Sequence, residues 1–153
     1  MKMLVGLYLF ISFSCLSFND IKILDASSQK FEGGREESGS GIQYRIQLIA
    51  NKDSEKLEII GVWIDQEMYK PRIVVKSGFQ QVGDFQKGDT LLLTFTKWTR
   101  KPEAVETPSE ELQNNNMPPE KFKGEGIIEG RIKRKSFYKE IPHFTKLNPK
   151  EYR

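Results

Sequence analysis

The sequence predicts an all-β domain, an antiparallel β-sandwich of about six to eight strands, with a small β-barrel as the alternative architecture. Three observations predict it. From Gly41 onward, apolar residues recur with a period of two. Clusters of Gly, Asn, Asp and Ser punctuate these runs at short intervals. No stretch of the domain carries the 3.6-residue apolar stripe of a long amphipathic helix.

The elements follow in order. Ile42, Tyr44, Ile46 and Leu48 share one face, and Gln43, Arg45 and Gln47 the other, which is a half-buried strand. Asn51-Lys52-Asp53-Ser54 is a turn signal. Leu57 to Ile64 is apolar on both faces over its second half and reads as a central strand. Pro71 opens a short strand, Arg72 to Lys76, with Ile73 and Val75 on one side. The turn Lys87-Gly88-Asp89 leads to Thr90–Trp98, where Leu91, Leu93 and Phe95 align.

Residues 99–123 interrupt this pattern with four prolines and the run Asn114-Asn115-Asn116. Thr107-Pro108-Ser109-Glu110 has the layout of a helix start, so at most two helical turns are expected in an irregular insertion. Strand pattern resumes at Gly126, with Ile128 and Ile132 on one face. Alternation places Arg131, Lys133 and Lys135 together on the other, before a turn near Lys135-Ser136. Residues 137–144 read as a last strand, demoted by Pro142 to an edge in its second half, and the tail from Thr145 as loosely held. The expected core is Tyr44, Ile46, Leu48, Ile59, Trp63, Ile73, Val75, Leu91, Leu93, Phe95, Ile128 and Ile132.

Ahead of this domain, Lys2 precedes the uncharged run Met3–Phe18, sixteen residues long. A membrane-spanning helix needs about 20 residues, whereas a secretory signal is satisfied by fewer. Ser14-Cys15 resembles the end of a lipobox, although Ser12 stands where an aliphatic residue is usual. The expected organisation is a signal peptide over 1–14, cleaved before Cys15, and a flexible tether over 15–41. A sandwich domain follows over 42–147, carrying the 99–123 insertion. Within the tether, Ile21 to Leu24 has the character of an edge strand. Cys15 is the expected lipidation site, anchoring the protein to a membrane, with the outer membrane the expected location. Ordinary cleavage after Ser14 or Ser17, giving a soluble periplasmic or secreted protein, is the alternative.

Composition excludes more than it names. The chain has 153 residues, 24 Lys+Arg against 21 Asp+Glu, one His and one Cys. A zinc site of four cysteines, or of two cysteines and two histidines, has no ligands within one chain, and a disulfide framework has no partners. His143 lacks the oriented nucleophile that a catalytic histidine needs, and no nucleophile-elbow motif is present. Asp65, Glu67, Asp84 and Asp89 show no EF-hand spacing, so no metal and no cofactor are expected. A net charge of +3 and an exported location argue against nucleic acid. The candidate binding surface is Trp98 with Arg131, Lys133 and Lys135, suited to an envelope protein, a glycan or anionic head groups. A monomer is expected.

Several pieces together resemble small, mostly uncharacterised, single-domain lipoproteins of Bacteroidota-type bacteria. They are Cys15, Gly33-Gly34, Tyr44 to Leu48, Leu57 to Ile64, Lys87-Gly88-Asp89-Thr90 and Phe144 to Pro149. The resemblance implies an envelope location and a β-rich fold, and carries over no active-site residue. The function expected is a non-catalytic envelope domain with a structural or binding role. The alternative is a carbohydrate- or peptide-binding accessory protein using Trp98 and the insertion.

Overall fold

The computed structural model describes residues 20–33, 39–76, 84–102, 118 and 121–152. Among them are nine strands and no helix. The strands are β1 (Ile21–Gly33), β2 (Ser40–Ala50), β3 (Leu57–Ile64), β4 (Glu67–Tyr69), β5 (Arg72–Val75), β6 (Thr90–Arg100), β7 (Gly126–Ile132), β8 (Lys135–Ile141) and β9 (Thr145–Tyr152). A five-stranded sheet, ordered β5-β6-β2-β1-β9, packs on a four-stranded sheet, ordered β4-β3-β7-β8. The sheets do not close, so the protein is a β-sandwich and not a barrel.

Alternation builds the core as expected. Ile46 and Leu48 of β2 sit opposite Leu93 and Leu91 of β6, and all four are fully buried. Val62 of β3 and Ile128 of β7 pair on the facing sheet and are equally buried. Three aromatic contacts link Tyr44, Phe95, Tyr69 and Phe144, and the Phe95–Tyr69 pair joins the two sheets. The Phe95 ring stacks on Tyr44 at 4.9 Å and on Tyr69 of β4 at 5.2 Å, and Tyr44 meets Phe144 edge-on at 5.0 Å. Of the expected core, Ile59, Ile73 and Ile132 are only partly buried, but they pack against it. Trp63, Met68 and Ile127 form a second apolar cluster on the outer face of the four-stranded sheet, where Trp63 Nε1 donates to Glu129 Oε2 at 2.8 Å. β3 is therefore apolar on both faces because both faces are covered.

The structure corrects four expectations. First, residues 21–33 are not tether but a 13-residue strand, paired antiparallel with β2 and parallel with β9. A register shift between Ile23 and Asp25 exposes Leu24 and turns Ala26 inward, which hides the alternation from a period-two reading. Second, the tail from Thr145 is β9, held by backbone bonds to β1 and not by apolar burial. The domain thus runs from about residue 20 to 152, rather than 42 to 147. Third, the last hairpin turns at Lys133-Arg134, two residues early, because Phe137 pairs with Gly130 and its ring occupies the space a Cβ would take there. Fourth, that turn divides the basic residues. Arg131 faces outward from β7, Lys133 sits in the turn with φ 56°, and Lys135 opens β8 opposite the inward Ile132. Signal peptide, Cys15 and the Thr107–Glu110 helix start lie outside the described residues.

Candidate functional site: a charged cleft at one end of the sandwich

Strand direction sorts the connections into two ends. One end holds the start of β1, the 51–56 connection, the 87–89 turn and the β7–β8 turn. The other holds the β3–β4 turn at Asp65, the start of β2, the end of β6 and the residues entering β7. At this second end the sheets part and leave a cleft of about 640 Å³. That volume is within the range of small-ligand sites, roughly 300–1,000 Å³.

Alternation dictates the lining. On β1 and β2 the inward phase brings Ser28, Lys30, Ile42 and Tyr44 to the cleft, and β9 adds Lys146 and Leu147. The facing wall is Ile64 and Asp65 from the β3–β4 turn, with Gly124 and Glu125 ahead of β7. Charge is therefore split across the opening: Lys30 and Lys146 on the larger sheet, Asp65 and Glu125 on the smaller. Ile42, Ile64 and Phe144 supply the apolar part.

The cleft is braced behind its lining. Glu125 Oε2 accepts the Phe144 backbone N–H at 2.7 Å, which fixes the Phe144 ring against Tyr44. Lys97, inward on β6, reaches Asp65 at 3.3 Å and Glu67 at 3.4 Å, joining the two sheets at this end. Tyr69 Oη donates a short hydrogen bond to Glu67, and this bond, with Lys97, holds the Glu67 carboxyl below its ordinary range. Burial works against the Lys97 ammonium, but the bonds to Asp65 and Glu67 outweigh it and raise its pKa. Burial raises the Tyr44 phenol, Lys97 opposes that, and Asp65, Glu125 and Glu67 add to it. Tyr44 is thus a neutral hydroxyl at the cleft floor.

The residues singled out from sequence are not in this cleft. Trp98 lies on the outer face of β6, edge-on to Phe31 at 5.5 Å. Gly41, between their strands, leaves the two rings free to meet. Arg131 pairs with Glu58 at 3.6 Å on the outer face of the other sheet. Lys133 and Lys135 stand at the opposite end. Cys15 is outside the described residues. What sequence reading missed is Lys97, Asp65, Glu125 and Phe144 as one site. The only available signal was Lys97 on the apolar face of an otherwise clean strand.

His143 is exposed in the β8–β9 connection. Among the described residues no group of three or more His, Cys, Asp or Glu is placed to hold a metal, and no helix is long and apolar enough to cross a membrane. No protein-family model, curated protein or solved structure matches the chain.

Proposed function

We propose that this protein is a non-catalytic, lipid-anchored binding domain of the cell envelope, which takes a short peptide segment in the end cleft. The split of charge across the cleft carries the reading. Cations on one wall and carboxylates on the other, over an apolar floor, match a ligand that bears both charges and some apolar surface. Peptides have that chemistry.

A glycan is the less suited ligand. Sugar rings stack on exposed aromatic faces, and the two aromatic residues of this cleft, Tyr44 and Phe144, are 8% and 5% exposed. Their ring surfaces are spent on Phe95 and on each other. The envelope location rests on the signal-like run Met3–Phe18, on Cys15 and on the resemblance to Bacteroidota-type lipoproteins.

The test is binding of a fluorescent library of short mixed-charge peptides to the purified full chain and to Lys146→Glu. Lys146 pairs with the inward Ser28 and is exposed at the cleft, so the change reverses a charge on one wall without opening the core. Binding to the parent and its loss in the variant are expected. Binding of neutral oligosaccharides in preference to peptides, or equal peptide binding by both chains, refutes the proposal.

A further inference from the structure

The end opposite the cleft is a basic tip, and it is the end where the chain enters the domain. Hydrogen bonds connect its parts in sequence. Asn51 N donates to Asp20 O at 2.9 Å, Leu57 N to Asp53 O at 3.0 Å, and Lys133 N to Lys56 O at 3.4 Å. The first described residue, Asp20, and the β7–β8 turn are thereby fixed to the same loop. Carboxylates at this end are largely committed. Asp20 pairs with Lys52 at 2.7 Å, Asp53 approaches Lys56 at 4.0 Å and accepts Lys87 N, and Glu58 holds Arg131. Asp89 accepts Gln86 N, while Glu55 and Asp84 are exposed. Lys133, Arg134 and Lys135 project from the turn, all exposed, without an acidic partner among the described residues.

The corrected start of the domain gives this tip a direction. Because β1 begins at Ile21, Cys15 is only five residue steps from Asp20. Fully extended, they span at most about 18 Å. β1 alone, at roughly 3.3 Å per residue over its 13 residues, is about 40 Å long. An anchor at Cys15 therefore keeps the basic end within reach of the bilayer, and contact through that end directs the cleft end away from it.

We propose that the end carrying Lys133, Arg134 and Lys135 docks on the anionic head groups of the membrane that holds the chain, so that the cleft opens away from the bilayer. The proposal rests on the reading of Cys15 as an anchor only for the length of the tether. Docking itself is Coulombic, and each Lys or Arg near an anionic surface raises partitioning about fivefold. It weakens once salt shrinks the Debye length below about 8 Å.

The experiment uses the full chain, purified in detergent and reconstituted into vesicles of phosphatidylcholine, with or without about a third phosphatidylglycerol. A fluorophore is placed through Ser136→Cys beside the tip, or through Gln66→Cys at the cleft end, and a quencher is carried on the lipid head groups. Quenching at Ser136→Cys that is stronger in the anionic than in the neutral vesicles, falls to the neutral level in high salt and exceeds that at Gln66→Cys is expected. Lys133→Asn, Arg134→Gln and Lys135→Gln together should lower the docking constant about 100-fold; Asn suits the positive φ of residue 133. An unchanged thermal melt shows that the triple variant still folds.

Equal quenching in neutral vesicles, equal quenching at Gln66→Cys, or undiminished docking by the triple variant overturns the proposal. Acyl labelling, and uptake of the fluorophore by the parent chain at a free Cys15, report separately on the anchor. A failure of lipidation and a failure of docking are thereby told apart.

Discussion

Replacing Phe95 by Leu tests how the cleft floor is held. The Phe95 ring is 3% exposed and lies between two others, Tyr44 at 4.9 Å and 8° and Tyr69 at 5.2 Å and 25°. One partner is on its own sheet and the other on the facing sheet, so the stack is part of what clamps the sandwich at the cleft end. Leu keeps most of the apolar volume but loses both ring contacts, each worth about 0.5–1.5 kcal/mol. The expected cost is about 2 kcal/mol, against about 3–5 kcal/mol for Phe95→Ala, which also leaves a cavity. With a urea slope of roughly 2 kcal/mol per molar, the midpoint falls by about 1 M for the Leu variant. Equilibrium urea unfolding followed by fluorescence measures it. A double-mutant cycle with Tyr69→Leu isolates the inter-sheet pair and should return coupling of about 1 kcal/mol. A midpoint shift below about 0.3 M, or no coupling to Tyr69, would show that the ring stack does not clamp the cleft end.

Other predictions follow from the same contacts. Gly130→Ala drives a Cβ into the Phe137 ring and should cost about 1–3 kcal/mol in a thermal or urea melt, with Phe137→Leu restoring part of the loss. Lys52→Met leaves the Asp20 carboxylate buried, with neither oxygen paired to the lysine, and should cost about 2–3 kcal/mol; adding Asp20→Asn should recover much of it. Glu67 has a lowered pKa, so its contribution is present above the ordinary value of 4.5 and is lost as pH falls through the depressed one. The parent should therefore lose stability below that value more steeply than Glu67→Gln, by a small margin because the carboxylate is largely exposed. Trp98→Ala should lower stability modestly through Phe31 and leave peptide binding unchanged, because Trp98 lies outside the cleft.

Strands whose inner face is apolar were legible in the sequence, because burial imposes a period of two. β2, β3, β5, β6 and β7 fall where alternation puts them, and nine of the twelve expected core residues are buried. β1 and β9 were not legible as full strands. They are held by ladder hydrogen bonds, which any sequence can make, and β1 is further disguised by its register shift and its serines. β4, three residues long, is too short to show a period. The cleft was illegible for another reason. Its charges come from β1, β6, β9, the β3–β4 turn and the residue before β7, and only the stacking of the two sheets brings them together. The basic residues were found, but their arrangement depended on where the hairpin turned. A shift of two residues changes a stripe on one face into a tip at one end.

The claim that matters most is that the end cleft is where this domain binds. A titration of the isotope-labelled full chain with the tightest peptide from the mixed-charge library, followed residue by residue in NMR spectra, tests it directly. Shifts are expected at Ser28, Tyr44, Ile64, Glu125 and Phe144, with none at Lys133 to Ser136 or at Trp98. Shifts centred on Trp98 and Phe31, or on the β7–β8 turn, with the cleft residues unmoved, would contradict it.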